Sequence, residues 1–179
     1  MLESIETKIR SEAEFLRQLK NQDEQAWSIL TTEYGTKIYN YLRHRLPSPQ
    51  DIEDVLSETL LAAVRSIPTF DGNVTLTTFL FSLANRKIAD FWRRQQTTSE
   101  LPETLMDASL SSDSMEFQEI LQKLRPNHLQ VLLMRYHVGL GVDEIAKVLG
   151  VSYKSTESLL SRARLELRKA LDNARVRDV

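Results

Sequence analysis

Apolar residues recur along this chain at helical spacing almost from end to end. Leu16, Leu19, Ala26, Trp27, Leu30, Tyr34, Ile38, Tyr41 and Leu42 form stripes three and four residues apart, which predicts two N-terminal helices broken near Asn21–Asp23. At "SPQD" a further helix is expected: Ser48 to cap it, Pro49 in its first turn, and Asp51 at the positive end of its dipole. Its expected buried stripe is Ile52, Val55, Leu56, Leu60, Ala63, Val64 and Ile67. "PTFDGN", residues 68–73, reads as a turn. The next helix carries Leu76, Phe79, Leu80, Leu83, Ala84, Ile88 and Phe91, and helical spacing resumes near Met115 with Phe117, Ile120, Leu121 and Leu124. Long alternating runs of β-branched residues are absent, so an all-α protein is expected.

The periodicity fails once over a long stretch. "QQTTSELPETLMDASLSSDS", residues 95–114, is rich in Ser, Thr and acids and reads as a flexible tether. Two small helical domains follow, at 1–95 and 115–179, with an acidic linker at 96–114.

In the second domain, "EIAKVLGVSYKSTESLLSRAR" reads as two helices joined by a tight turn. Ile145, Ala146 and Leu149 share a face; Gly150 can take the left-handed backbone the turn requires, and Val151 is expected to plug the angle between the helices. Ser152 can cap the second helix. On it, Thr156, Leu160, Ala163 and Leu167 keep core spacing, leaving Tyr153, Lys154, Ser155, Glu157, Ser158, Ser161, Arg162 and Arg164 as candidate DNA-facing residues. The set mixes phosphate donors with groups able to read base edges.

Composition narrows the function. The 179 residues contain no cysteine, which excludes disulfides, thiolate catalysis and cysteine zinc sites. "MLESIETKIR" lacks the apolar core of a signal peptide, and the apolar runs LLAAV (60–64) and VLLM (131–134) fall far short of a membrane span. A cytoplasmic protein without membrane insertion is expected. The net charge of −2 hides segregation: Glu100 to Glu119 holds acids and no base, whereas bases outnumber acids from Leu121 onward. Arg86, Lys87, Arg93 and Arg94 form a basic patch just before the acidic stretch. A polyanion responds to these local fields rather than to the net charge.

Taken in order, these segments resemble an extracytoplasmic-function sigma factor of the sigma-70 family. "FLRQLKNQDEQAWSILTTEY" and "PQDIEDVLSETLLAAVRSIPTFDG" are similar to its first conserved domain, and "TTFLFSLANRKIADFWRRQQ" to its promoter-melting segment. "LQKLRPNHLQVLLMRYHVGLGVDEIAKVLGVS" with "LLSRARLELRKAL" is similar to its C-terminal domain. The resemblance spans about residues 12–171 and implies three partners: core RNA polymerase, promoter DNA both as duplex and as melted single strand, and an anti-sigma factor. It implies that the acidic helix, with Asp51, Glu53, Asp54 and Glu58, docks on a basic coiled coil of the polymerase clamp. Asp51 fits a helix-dipole role equally well.

The resemblance also implies that Phe70, Asp71, Asn73, Asn85, Arg86, Lys87, Asp90 and Arg93 hold the flipped base and backbone of the minus-ten element, a task that needs shaped pockets and a basic track. The helix-turn-helix then takes the minus-thirty-five element. Phe79, Phe81 and Phe91 are expected in the core, while Trp92 fits either role. The chain departs from the family at Ser57, where a longer polar residue is usual, at Phe79, where tryptophan is common, and at Glu157 and Leu159, where Lys and Arg are frequent.

An enzyme is the first rival. Helical-bundle metal sites use Glu-x-x-His pairs, but Tyr41, Arg125 and Met134 stand three residues before His44, His128 and His137. No glycine-rich phosphate loop or nucleophile–base pairing is visible, and no cofactor or metal is expected. The nearer alternative is a stand-alone helix-turn-helix regulator, which leaves the acidic helix and the "NRKIADFWRR" helix without a role.

Overall fold

The break expected near Asn21–Asp23 is where the first two helices part. A computed structural model describes the backbone of residues 2–98 and 115–177, with side chains at 11–95, 117, 119–174. Helix α1 (Leu2–Lys20) ends in a tight turn in which Gln22 takes a positive φ of 59°. Asp23 then caps α2 (Glu24–Ile29), accepting from the Ala26 amide at 2.8 Å. A π-helical turn, Leu30–Tyr34, carries α2 into α3 (Gly35–Leu42). Helix α4 (Pro49–Ser66) starts as the sequence predicts, with Pro49 in its first turn and Ser48 Oγ accepting from the Asp51 amide at 3.2 Å. A short 3-10 turn, Ile67–Thr69, and a loop lead to α5 (Leu76–Thr98).

The chain divides into two compact units, Met1–Thr104 and Leu105–Val179. In the first, α3 and α5 both pack on α4, and α1 packs on α2 and the 3-10 turn. Leu19, Leu30, Ile38, Tyr41, Leu42, Leu76, Leu80 and Phe81 are fully buried there. The Tyr41 and Phe81 rings meet edge to face at 5.4 Å.

One expectation on α4 needs correction: Val64 is exposed. Leu61, outside the expected stripe, is exposed as well, whereas Thr59, also outside it, is fully buried. The helix presents Ile52, Val55, Thr59 and Ala63 inward, a narrower stripe than one drawn through every apolar position. Thr59 is tolerated there because its hydroxyl donates to the Val55 carbonyl at 2.7 Å. Helix α5 also runs to Thr98, three residues into the expected linker. Residues 99–114, the rest of that linker, lie outside the described residues.

The second unit comprises α6 (Met115–Gln122), α7 (Pro126–Leu132) with a π-helical turn at Leu133–Val138, α8 (Val142–Leu149) and α9 (Tyr153–Arg177). Helices α6, α7 and α8 all pack on α9, burying Val131, Met134, Ile145, Leu160 and Ala163. His128, itself buried, hydrogen-bonds Glu166 of α9, and Arg125 lies 3.7 Å from the same carboxylate. That histidine is therefore a tie between helices. Among the described residues no group of three metal-ligating side chains occurs, and no helix is long and apolar enough to cross a membrane.

Candidate polymerase and promoter surfaces

Helix α4 carries the acidic candidates, and its cap fixes how they are presented. Ser48 Oγ donates to Asp51 Oδ2 at 2.5 Å while accepting the Asp51 amide, so Asp51 is tied into the helix start. Glu53 and Asp54 are exposed. Glu58 is engaged elsewhere: Lys87 Nζ lies 3.3 Å from its Oε2 and Arg94 reaches its Oε1 at 3.2 Å. Burial raises the Glu58 pKa, but hydrogen bonds and attraction from Lys87 and Arg94 outweigh it and hold the carboxyl below its ordinary value. A groove of about 470 Å³ runs between α4 and the end of α5, lined by Asp51, Asp54, Ser57, Glu58, Leu61 and Arg94 among others.

The minus-ten candidates separate into groups. Phe70 is buried and stacks on Phe79 with ring centroids 4.3 Å apart, so its ring is not open at the loop surface as a base-holding role requires. An apolar ring at the end of a 3-10 turn gains more from that contact than from water. Asp71 and Asn73 are exposed and joined by an Asx turn, with the Asn73 amide donating to Asp71 Oδ1 at 3.2 Å. Gly72 between them has φ 75°, the left-handed region that favours glycine.

On α5, Arg86, Asp90 and Arg93 follow i, i+4, i+7 spacing and share one outward stripe. Asp90 pairs with Arg93 at 2.9 Å. Lys87 and Arg94 are seven apart on another face, the one turned to Glu58, so Lys87 does not belong to the outward stripe. Asn85 is half-buried. Phe81 and Phe91 are buried as expected, Phe79 is half-buried, and Trp92 meets Phe91 edge to face at 5.2 Å.

Sequence reasoning missed Glu12, whose carboxylate accepts the Leu76 amide at the start of α5, a contact sixty-four residues apart in the chain. No local pattern encodes such a pairing. Thr75 completes that start, its Oγ1 accepting from the Thr78 amide at 3.2 Å.

In the second unit Gly150 adopts φ 67°, ψ 32°. The Val151 amide donates to the Ala146 carbonyl at 3.1 Å and the Gly150 amide to Lys147 at 3.3 Å, a Schellman motif that ends α8. That motif carries Val151 outward, and it is 45% exposed rather than plugging the angle. Ile145, Val148, Thr156 and Leu160 are buried on the two helices that flank it. Ser152 caps α9 as predicted, accepting the Ser155 amide at 3.2 Å and donating to Ser155 Oγ at 2.9 Å.

Tyr153, Lys154, Ser155, Glu157, Ser158, Ser161, Arg162 and Arg164 are all exposed. Glu157, Ser158, Ser161 and Arg164 line a groove of about 430 Å³ beside Val142 at the start of α8. Arg162 Nε donates to the Ser158 carbonyl at 3.3 Å, along its own helix.

The chain matches the Sigma-70 region 2 family over residues 30–98 and the Sigma-70 region 4 family over residues 114–167. It is 30% identical to the RNA polymerase sigma factor YlaC of Bacillus subtilis over 82% of its own length and 92% of that protein. It is also similar to the ECF RNA polymerase sigma factor SigX of Bacillus subtilis, at 24% identity over 83% of this chain and 85% of that one. This chain belongs to the extracytoplasmic-function (ECF) sigma factors of the sigma-70 family. The fold is shared with the sigma factor RpoE of Bartonella quintana, solved with the anti-sigma factor NepR, at a TM-score of 0.65 and 17% identity, covering 79% of this chain and 94% of that one.

Membership makes this ECF sigma factor a transcription initiation factor of bacterial RNA polymerase. Its region 2 match takes in both α4 and α5, which the stand-alone regulator reading leaves unused. Its region 4 match holds the whole of α8 and most of α9, the two halves of the helix-turn-helix.

Proposed function

We propose that the two outward charge surfaces of the α4–α5 pair divide the work of initiation between protein and DNA. The observation that carries this reading is their separation: Glu53 and Asp54 are exposed on α4, Arg86 and Arg93 are exposed on α5, and at the seam between the helices Glu58 is paired with Lys87 and Arg94. The acidic face, with Asp51 at the capped start, docks core polymerase through charge complementarity. The exposed apolar Leu61 and Val64 extend that face with surface that gains from being covered.

The Asp71–Asn73 turn and the Arg86–Asp90–Arg93 stripe hold the melted minus-ten strand, and α9 reads the duplex minus-thirty-five element. Neither DNA contact need be tight by itself, because the tether and the polymerase dock raise the effective concentration of each. Similarity to a protein solved with an anti-sigma factor supports an inhibitory protein partner here as well, and initiation is a role performed in the cytoplasm.

Copurification tests the dock. Asp51→Arg with Asp54→Arg reverses the charge of the face while leaving the Glu58 cluster in place. Loss of core polymerase from the pull-down, with helical content kept, is the expected result; undiminished recovery of polymerase would overturn the reading.

A further inference from the structure

Tyr136 lies in the π-helical turn after α7 and is 64% exposed, yet it is held by a specific partner. Its hydroxyl accepts from Arg164 Nε at 2.8 Å, and the guanidinium carbon sits 5.9 Å from the centre of its ring. Two contacts of different kinds thus restrain one long, rotamer-rich side chain. Arg164 also lines the groove of Glu157, Ser158 and Ser161 on the outward side of α9.

The Nε bond uses one of the five guanidinium donors, leaving the four on the terminal nitrogens for a ligand. The tyrosine hydroxyl, acting as an acceptor toward Arg164, still has its own proton to donate. A ligand that takes donation from both must offer several acceptor oxygens and reward positive charge, which describes a phosphate. On the flank of a helix that reads duplex DNA, that phosphate belongs to the DNA backbone.

We infer that Tyr136 is a positioning residue for Arg164, and that the pair clamps one backbone phosphate at the edge of the duplex read by α9. The inference rests on the DNA-reading role of α9 proposed above. Such a clamp sets the register of α9 on the duplex and carries no sequence preference of its own. Arg162 is arranged otherwise, its Nε turned back to its own helix, and has no aromatic platform among the described contacts.

The test uses holoenzyme assembled from the full chain and core polymerase, titrated with promoter duplex at several salt concentrations. Tyr136→Phe keeps the ring and removes the hydroxyl; it should weaken promoter binding about three- to tenfold, equally on duplexes altered in the minus-thirty-five bases. Arg164→Ala should reduce the log–log salt slope by roughly 0.9, and the two losses in the double variant should combine to less than their product. Wild-type affinity and slope for Tyr136→Phe, losses that multiply, or a loss confined to one base pair would each overturn the clamp. An unsubstituted holoenzyme with no minus-thirty-five preference would instead bring down the reading of α9, a failure visible before any variant is made.

Discussion

Lys87 Nζ stands 3.3 Å from Glu58 Oε2, a pair that links a helix expected to face polymerase to one expected to face DNA. With Arg94 on the other carboxylate oxygen, Glu58 becomes the centre of a three-residue seam between α4 and α5. The seam fixes how the two charged surfaces are held relative to each other, so Glu58 acts from within the helix pair.

Glu58→Gln tests the seam through pH. The folded carboxyl sits below its ordinary value, so its contribution is present above the unfolded carboxylate range and is lost as pH falls through the folded value. Glu58 is 35% exposed, and screening keeps the effect small. Glu58→Gln should cost about 0.5–1 kcal/mol at pH 7. The gap to wild type should narrow once pH falls below the ordinary glutamate range, and close below the lowered folded value. Denaturant titrations at several pH values read this directly; a gap that persists or widens in acid would show the pairing contributes nothing.

Gly150→Ala isolates a backbone cost. A Cβ at Gly150 meets no atom within 4 Å, so only the left-handed conformation opposes the change. Thermal unfolding should show a loss of about 1 kcal/mol, with Gly150→Asn milder. An unchanged melting profile would mean the turn relaxes to an ordinary conformation.

Ser48→Ala removes the α4 cap. The Asp51 amide loses its acceptor and Asp51 loses the hydroxyl that holds its carboxylate. Stability should fall by about 1 kcal/mol, and polymerase affinity should fall further than stability explains, because Asp51 is no longer fixed. Equal affinity for the two proteins would remove Asp51 from the docking face.

Helix starts and stops were legible in the sequence because caps are local: Ser48, Ser152 and Gly150 each act on residues within a turn. Core stripes were legible too, up to the edges of each helix, where Val64 and Val151 showed that an apolar residue at nearly the right spacing can still point to water. The site was legible as a list but not as surfaces. Lys87 and Arg86 are adjacent in sequence and about 100° apart around the helix, so they serve different faces. Whether Lys87 meets a phosphate or Glu58 depends on how α4 packs against α5, and Glu12 and Tyr136 likewise act across long stretches of chain.

Glu157→Lys asks whether an acid beside DNA reads a base. Glu157 shares its groove with short serines and with Arg164, an arrangement that leaves room for a cytosine amino group to reach the carboxylate. Holoenzyme carrying the lysine should lose roughly 1–3 kcal/mol on the preferred minus-thirty-five sequence only. Uniform tightening on every duplex, with a steeper salt dependence, would make Glu157 a bystander whose removal relieves repulsion.

As a sigma factor, this chain directs core polymerase to promoters and assists their opening. Run-off transcription from a genomic promoter library, with permanganate mapping of unpaired thymines on the templates that respond, tests it most directly. Core polymerase with this chain should give discrete transcripts and a reactive patch just upstream of each start, and Arg86→Ala with Arg93→Ala should remove the patch while duplex binding persists. Transcripts that do not depend on the chain, together with duplex DNA protected by the chain in the absence of polymerase, would contradict the claim.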